Sequence, residues 1–289
     1  LSNVDPKKIM LSQKIMLPYM KWREEKENNR KFSWTLCLYP TAAKAKDAKM
    51  SLKEYWKQVI DACYLLEKDP VKKWQKVQAQ IKNTIKKLDA LEINKVHIEA
   101  KNTNLWVTIG KKRRWLGGDG CNIPSFEIFT SPDWRGTNGY IEFTEPLYRF
   151  GNLIEGINLK FKDGVIIEAK ASKNENFLKQ LVSVENANKI GEFSMTDKRF
   201  SNINKFMAET LYDENVGREF GNTHLAIGNS YSDTYSGDVK KLNKKELVKF
   251  GFNKSAIHCD IVSTSDRVIT AYLKDGSQKV IFKNGQFKL

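Results

Sequence analysis

The chain has 289 residues, and 49 Lys+Arg against 34 Asp+Glu give it a formal net charge of +15 at pH 7. Hydrophobic residues make up 40% and charged residues 29%, a balance typical of globular rather than disordered proteins. No run approaches the roughly 18 consecutive apolar residues of a membrane helix, and the N-terminus lacks the pattern of a signal peptide. We therefore expect a cytoplasmic protein that does not enter a membrane.

Residues 1–95 are predicted to be mainly helical. Ser51 followed by Glu54 is the pattern of a capping box, and apolar residues recur at three- and four-residue steps after it. Asp69 and Pro70 then supply an N-cap and a first-turn proline for a second helix with the same periodicity. These apolar stripes are typical of packing surfaces, and we assign them no catalytic role.

The pattern changes to strands after residue 95. Short alternating runs occupy 96–100 and 105–109, and Asp163-Gly164 joins two further runs in a way that predicts a hairpin. A second ribbon with Gly276 and Gly285 at its turns closes the chain, and one helix is expected near 174–185. The predicted fold class is α+β, with a helical N-terminal part (1–95) and a β-rich domain (96–289).

The four cysteines are scattered and form no C-x-x-C pair. In a chain of this length, such spacing predicts neither a disulfide framework nor a structural zinc site. We expect reduced thiols at all four positions: Cys37, Cys63, Cys121 and Cys259.

Only three histidines occur, so their neighbours are informative. His258 and Asp260 lie two apart in an apolar run, and on a strand such residues project to one face, as half of a divalent-metal site would require. A core histidine bonded to a nearby carboxylate explains the same residues equally well. His224 lies in a second apolar run, where a lone histidine is more often a core residue than a ligand. His97 alternates on a plain strand and is interpreted as structural.

Glu127 and Glu192 stand in apolar or glycine-marked surroundings. Burying a carboxylate there costs several kcal/mol unless it is paired or bound to a metal. The alternative is that either residue faces solvent from an edge strand. Taken with the two histidines and Asp260, these residues would suit a pair of divalent ions.

Four sequence blocks occur in an order that resembles a known family. They are NIPSFEIFTSP (122–132), KIGEF (189–193), LYDENVGREFGNTHLAIGNSY (211–231) and IHCDIV (257–262). From Phe32 to the C-terminus the chain resembles the thermophilic aminopeptidase family of metallopeptidases, the group of aminopeptidase T, aminopeptidase S and PepS. Family enzymes carry a longer N-terminal α/β domain, so the helical part would be its remnant.

The resemblance implies a metal-dependent aminopeptidase that hydrolyses the N-terminal residue of peptides with a free N-terminus, through a metal-activated water at a two-metal site. It implies zinc, cobalt or similar ions as cofactors. It also places Tyr231 in the active site, in contact with a metal or with the tetrahedral intermediate; without the resemblance, a packed tyrosine would be favoured. The implied metal ligands are Glu127, Glu192, His224, His258 and Asp260.

One departure from the family pattern concerns an additional acidic residue that would act as the catalytic base. Family members place an Asp-Glu-Asn element a few residues before the histidine, whereas here five extra residues follow Asn215. The acidic residue is therefore Glu214 by local sequence or Glu219 by distance to His224. The sequence alone leaves both open.

Two other functions compete with the aminopeptidase hypothesis. The shortened N-terminus leaves open a catalytically inactive binding or scaffold protein of the same family. The net charge and the basic run 111–114 suggest nucleic acid, but no recognition motif is present and most of the excess charge, +10 from 21 basic and 11 acidic residues, lies in 1–95. Nucleic acid is therefore disfavoured as a partner, and the sequence leaves a homodimer open.

Overall fold

The structure, a computed structural model, describes residues 4–289. Its α-helices are α1 (Pro6–Asn28), α2 (Ala42–Asp47), α3 (Leu52–Ala62), α4 (Pro70–Ala90), α5 (Glu175–Ser183), α6 (Thr210–Asp213) and α7 (Lys244–Lys249). Its strands are β1 (Leu36–Cys37), β2 (Ile93–Ala100), β3 (Thr103–Thr108), β4 (Asn122–Ile123), β5 (Glu127–Thr130), β6 (Asp133–Phe143), β7 (Leu147–Arg149), β8 (Asn152–Ile154), β9 (Ile157–Lys162), β10 (Val165–Lys170), β11 (Ile190–Thr196), β12 (Asn222–Gly228), β13 (His258–Ser263), β14 (Arg267–Leu273), β15 (Gln278–Lys283) and β16 (Gln286–Phe287). This mixture of helices and sheets confirms the predicted α+β class.

The two best-marked helices begin where the sequence predicts. Ser51 and Glu54 form the reciprocal hydrogen bonds of a capping box at the start of α3. Asp69 accepts a hydrogen bond from the backbone N–H of Lys72 at the start of α4, and Pro70 occupies the first turn. Within residues 4–289, no helix combines the length and apolar composition needed to cross a membrane.

The larger sheet has eight strands in the order β10-β9-β6-β3-β2-β14-β15-β16, all paired antiparallel. Both predicted ribbons belong to it. Asp163 and Gly164 have φ values of +49° and +82°, which suit the tight primed turn between β9 and β10. Asn284 and Gly285 have the same left-handed backbone, at +53° and +74°, between β15 and β16. Turn chemistry visible in the sequence therefore fixes the register of both ribbons.

The smaller sheet carries most of the candidate site. Its four antiparallel strands have the order β13-β12-β11-β5. Every residue of the central strands β11 and β12 is buried, so charged side chains on this sheet are removed from water. Two smaller pairings, parallel β1 with β4 and antiparallel β7 with β8, complete the strands.

The helical part packs directly behind the smaller sheet. The ring of Trp74 in α4 stacks on Phe126 with centroids 5.4 Å apart, and Tyr64 meets the same phenylalanine edge-on at 5.9 Å. Phe126 is fully buried and immediately precedes Glu127 of β5. Helix α4 ends at Ala90 and strand β2 begins at Ile93, close to the predicted change from helices to strands. The division into two domains at residue 95 stays a prediction.

The two arginines of the basic run make hydrogen bonds within the protein. The Arg113 guanidinium donates hydrogen bonds to the carbonyl oxygens of Ser131 (2.5 Å) and Phe250 (2.7 Å) and lies 3.6 Å from the centroid of the Phe252 ring. Burial lowers its pKa to about 10. The next residue, Arg114, donates to the carbonyl oxygen of Asp233. Half of the four cations are thus used to join loops of this protein.

Replacing Phe126 with Ala should destabilise the fold by about 3–5 kcal/mol, because it opens a cavity between α4 and β5 that neither element can fill. Urea denaturation followed by tryptophan fluorescence measures the loss. Leu66→Ala is the matched control, since this side chain is 78% exposed and its removal should change the free energy of unfolding by less than about 0.5 kcal/mol. Equal effects of the two substitutions would contradict the packing role of Phe126.

Candidate metal centre

The register of the smaller sheet puts the predicted ligands on one face. Residues directly opposite each other on antiparallel strands share a face. Glu192 of β11 lies opposite Ala226 of β12, which lies opposite Asp260 of β13. His224 lies two residues before Ala226, and His258 two residues before Asp260, so both share this face. Glu127 lies opposite Thr196 and joins the same face from β5.

Small residues stand between these long side chains. Ala226 separates Glu192 from Asp260, and Ser194 lies opposite His224. Gly228, opposite His258, has a φ of +99°, and a Cβ at this position would clash with the carbonyl oxygen of Ile257. The small side chains leave room above the sheet, where carboxylates and imidazoles converge.

Two carboxylates meet the first histidine. Nε2 of His224 lies 3.0 Å from Oε1 of Glu192 and 3.2 Å from Oε2 of Glu127. These three side chains each offer one ligand atom, and all three atoms lie within 4.8 Å of one another. All three residues are buried, which excludes the alternative that either glutamate faces solvent.

The second histidine meets the other oxygen of the same glutamate. Nε2 of His258 lies 3.3 Å from Oδ1 of Asp260 and 3.8 Å from Oε2 of Glu192. Glu192 therefore directs one carboxylate oxygen toward each histidine. A carboxylate in this arrangement can bridge two neighbouring cations.

Backbone carbonyls fix the orientation of both imidazole rings. Nδ1 of His224 donates to the carbonyl oxygen of Glu214 (3.1 Å), and Nδ1 of His258 donates to that of Asn229 (2.8 Å). With Nδ1–H engaged, each Nε2 is available to a ligand at the centre, an arrangement typical of metal-binding histidines.

Burial and crowding shift the pKa values of two glutamates upward. Burial, followed by repulsion from Glu127, raises the pKa of Glu192 to about 7. Burial also raises the pKa of Glu214 well above its usual value, with the charges of Glu127 and Asp260 adding to the effect. These carboxylates thus share one water-poor space in which negative charge is in excess.

In both histidines and in Asp260, by contrast, the pKa shifts favour the charged form. Burial by itself would lower the pKa of His224, but hydrogen bonds with Glu127 and Glu192 outweigh it and raise this pKa well above its usual value. Asp260 likewise outweighs burial at His258 and raises its pKa to about 9. The pKa of Asp260 falls because attraction to His258 exceeds the cost of its burial. Protons on the imidazoles therefore balance part of the negative charge in the metal-free protein.

One oxygen at the centre lacks a hydrogen-bond partner. Oδ1 of Asp260 is buried and accepts no hydrogen bond, because the nearby His258 nitrogen lies outside hydrogen-bond geometry. Buried carboxylate oxygens are rarely left in this state unless they bind a cation. A donor set of imidazole nitrogens and carboxylate oxygens fits zinc and similar divalent metals. The residues present therefore fit a metal centre.

Tyr231 lies at the edge of this cluster. Its ring centroid is 4.6 Å from that of His258, and its backbone N–H donates to Oγ of Ser131 (2.8 Å). The side chain is 42% exposed, so it lines an opening rather than the core. Desolvation of the phenol and the nearby charges of Glu192 and Asp260 raise its pKa well above 10. The phenol is therefore a hydrogen-bond donor at neutral pH.

The two alternative acidic residues have different surroundings. Glu214 is buried at the end of α6, where Asn222 donates to its carbonyl oxygen (2.9 Å) and Asn215 to its carboxylate (3.4 Å). Glu219 is exposed and lines a cavity of about 840 Å³ together with Asp61 and Arg218. The structure brings Glu214, and not Glu219, to the cluster of candidate ligands.

Sequence reasoning missed the groups that hold the site in shape. Asn215 accepts a hydrogen bond from the backbone N–H of Phe126 (2.6 Å), so it ties the Glu214 segment to the start of β5. Asn222 donates to the carbonyl oxygens of Glu214 and Val216. Alternation along β12, which places His224, Ala226 and Gly228 on one face, was the available signal for the small residues.

Cys259 lies between two candidate ligands in sequence but faces the other side of the sheet. It pairs across strands with Ile227, outside the ligand rows. Burial raises the pKa of its thiol to about 11, so little thiolate is present at neutral pH. A cysteine nucleophile at this centre is accordingly disfavoured.

Comparison with known proteins now assigns the family. Residues 1–287 match the family described as "Thermophilic metalloprotease (M29)". The chain belongs to this family. It is 29% identical to aminopeptidase AmpS of Bacillus subtilis, and equally to aminopeptidase PepS of Streptococcus thermophilus; both alignments cover 99% of this chain and 73% of the relative. The solved structure of wild-type AmpT from Thermus thermophilus matches with a TM-score of 0.72 at 23% identity. The match covers 82% of this chain and 59% of the AmpT chain.

M29 membership confirms the predicted family and the predicted class of enzyme, a metal-dependent peptidase. The fold match to AmpT agrees with the α+β class. The matched region begins at residue 1, whereas the sequence predicts a similarity that begins only at Phe32. The number and identity of the metals and the roles of individual residues stay predictions.

Replacing Ala226 with Val should weaken zinc binding by about 10–100-fold, because the added methyl groups occupy the space between Glu192 and Asp260. Competition with a chromophoric chelator measures the dissociation constant. Ile227→Leu is the control, since Ile227 lies on the same strand but faces the opposite side of the sheet. Unchanged zinc affinity in a folded Ala226→Val protein would show that this face is not the binding face.

Proposed function

We propose that this chain is a metal-dependent aminopeptidase that removes the first residue from peptides with a free α-amino group, at a centre of two divalent cations such as zinc or cobalt. The observation that carries the proposal is the position of Glu192, whose two carboxylate oxygens face two different histidines. The aminopeptidase names of AmpS and PepS support the reaction class.

The charge of the cluster supports two cations rather than one. Four buried carboxylates, three from candidate ligands and that of Glu214 beside them, lie around two imidazoles, and their full deprotonation would give the cluster a formal charge of −4. Two divalent cations neutralise that charge, whereas one would leave half of it uncompensated in a water-poor space. The four carboxylates belong to Glu127, Glu192, Glu214 and Asp260.

The contacts divide the ligands into two groups that share Glu192. Glu127 and His224 would hold one cation with Glu192, and His258 and Asp260 would hold the other. When bound, the metal pair supplies Lewis acidity, which polarises a carbonyl group and lowers the pKa of water. Proton transfer and stabilisation of the transition state would fall to side chains of this protein.

Glu214 is proposed as the general base. Its carboxylate is buried beside the cluster, where it can take a proton from water and then pass it to the leaving amine. The donor group of Asn215 restrains the carboxylate in this position. Glu219 is not assigned this role, because it lies exposed beside a different cavity.

Tyr231 is proposed to stabilise the transition state. Its protonated phenol lies next to His258 and can donate a hydrogen bond to the oxygen on which negative charge develops. The free α-amino group of the substrate would be held at the same centre, by one of the cations or by a nearby carboxylate. Attraction of a free α-amino group explains action on the first residue rather than within a chain.

Zinc should raise the thermal stability of the protein, and Glu192→Gln should abolish most of that rise. At a free zinc concentration about 100 times the dissociation constant, binding adds about 2.7 kcal/mol to the free energy of unfolding. Differential scanning fluorimetry with zinc or with a chelator measures the shift in Tm. Glu219→Gln should keep the full shift, and a Glu192→Gln protein that keeps it as well would exclude Glu192 as a ligand.

Hydrolysis of leucyl-p-nitroanilide should depend on added metal and on Glu214. Glu214→Gln should lower kcat by about 10²–10⁴-fold with a much smaller change in KM, because it removes a proton acceptor and leaves the shape of the site intact. Glu219→Gln should stay within about twofold of the wild-type rate.

The N-acetylated substrate is the matched control for the free amine and should not be cleaved. Activity that survives thorough removal of metal would contradict the proposed mechanism. A rate loss confined to Glu219→Gln would reverse the assignment of the base.

A further inference from the structure

A strip of partly exposed apolar side chains borders the metal centre on the side of β5. Phe129 follows Glu127 by two residues on this strand, so both side chains project from the same face. Its neighbours Ile128 and Thr130 are fully buried, whereas Phe129 retains contact with solvent. The exposed ring therefore lies on the ligand face rather than in the core.

The strip continues on both sides of Phe129. Leu116 forms an antiparallel bridge with it through two backbone hydrogen bonds of 2.9 Å, so the two side chains share a face. The rings of Phe129 and Tyr231 meet nearly edge-on with centroids 6.0 Å apart. We name Leu116, Phe129 and Tyr231 the apolar strip.

The strip is continuous with the centre where the reaction is proposed. Tyr231 lies 4.6 Å from His258 by ring centroids, and Glu127 is anchored on the same strand as Phe129. The residue opposite Phe129 in β11 is Ser194, whose small side chain is fully buried and cannot cover the ring. The protein thus keeps a partly exposed apolar surface next to the candidate metal centre.

We propose that the apolar strip binds the side chain of the substrate's first residue, and that the favoured substrates are peptides beginning with a large neutral apolar residue. This inference rests on the proposed function. Removing an apolar side chain from water against Phe129 is favourable in proportion to the area buried. An acidic first residue would instead lose hydration against this apolar surface, which is unfavourable.

The first test compares leucyl- and alanyl-p-nitroanilide, which share the amine and the scissile bond. We expect kcat/KM for the leucyl substrate to exceed that for the alanyl substrate by about tenfold or more in the wild type. Phe129→Ala should bring this ratio near one, whereas Phe129→Leu, which restores an apolar side chain, should recover most of it. Tyr140→Ala is the control, because this exposed aromatic residue lies on β6 of the larger sheet and should leave the ratio unchanged.

A binding measurement separates recognition from turnover. Calorimetry of Leu-Gly-Gly and Ala-Gly-Gly against Glu214→Gln should show tighter binding of the leucyl peptide, and adding Phe129→Ala should remove the difference. The zinc-induced rise in Tm should persist in Phe129→Ala, which shows that the centre is intact.

Two outcomes would overturn the inference. One is a leucyl-to-alanyl ratio in folded, zinc-binding Phe129→Ala that equals the wild-type ratio; the other is an equal loss of the ratio in Tyr140→Ala. Failure of the proposed function looks different, because the wild-type protein would then hydrolyse neither substrate.

Discussion

The concentration of negative charge on one face of a small buried sheet is the constraint on which the rest of this structure depends. Carboxylates in a medium of low dielectric constant repel one another strongly and lose their hydration, so they persist only with cations or protons between them. In the metal-free protein the imidazoles of His224 and His258 carry those protons, and Glu192 is held partly protonated by a pKa of about 7. A pair of divalent cations would satisfy the same demand and release the protons.

This constraint accounts for features that would otherwise look unrelated. Ala226 is small because the long ligands need the space above it, and Gly228 permits the close approach of the Ile257 carbonyl oxygen. In both imidazoles the Nδ1–H donates a hydrogen bond to a backbone carbonyl oxygen. This bond fixes the ring, and a freely rotating ring could not keep Nε2 directed toward the carboxylates. Asn215 joins the Glu214 segment to the start of β5, and Phe126 joins that same point to α4. The helical part is thereby connected, through side chains that touch no substrate, to the strand that carries Glu127.

Local rules made much of the fold predictable from sequence. Ser51 with Glu54, Asp69 with Pro70, and the Asp163-Gly164 turn depend on interactions within a few residues, and each occurs as predicted. The pairing of His258 with Asp260 on one face follows from the two-residue period of a strand. Strand order does not follow from any such period. Strand β11 lies between β5 and β12 and so brings Glu192 between both histidines. This order depends on pairing between segments that are distant in sequence.

The choice between Glu214 and Glu219 shows the same limit more sharply. Distance along the sequence to His224 favours Glu219, and the local Asp-Glu-Asn pattern favours Glu214. Neither criterion indicates the path that the intervening loop takes. In the structure the Asn222 side chain donates to the carbonyl oxygens of Glu214 and Val216, which holds the start of the loop against β12 and leaves Glu219 at the surface. Which carboxylate is buried therefore depends on the path of the loop, which a side-chain amide at the first position of the strand helps to hold.

Net charge is a poor guide to this chemistry, because the chain is basic overall whereas its candidate metal centre is rich in carboxylates. The chain carries +15 overall, yet its candidate centre holds four buried carboxylates and no Lys or Arg among the ligands. Arg113 and Arg114, the second half of the most basic run, donate hydrogen bonds to backbone carbonyls within the protein. Long-range attraction of anions would act on exposed lysines and is screened within about 8–10 Å at physiological salt. Buried charges are screened far less, so the local excess of carboxylates at the centre, not the net charge of the whole chain, governs which cations bind there.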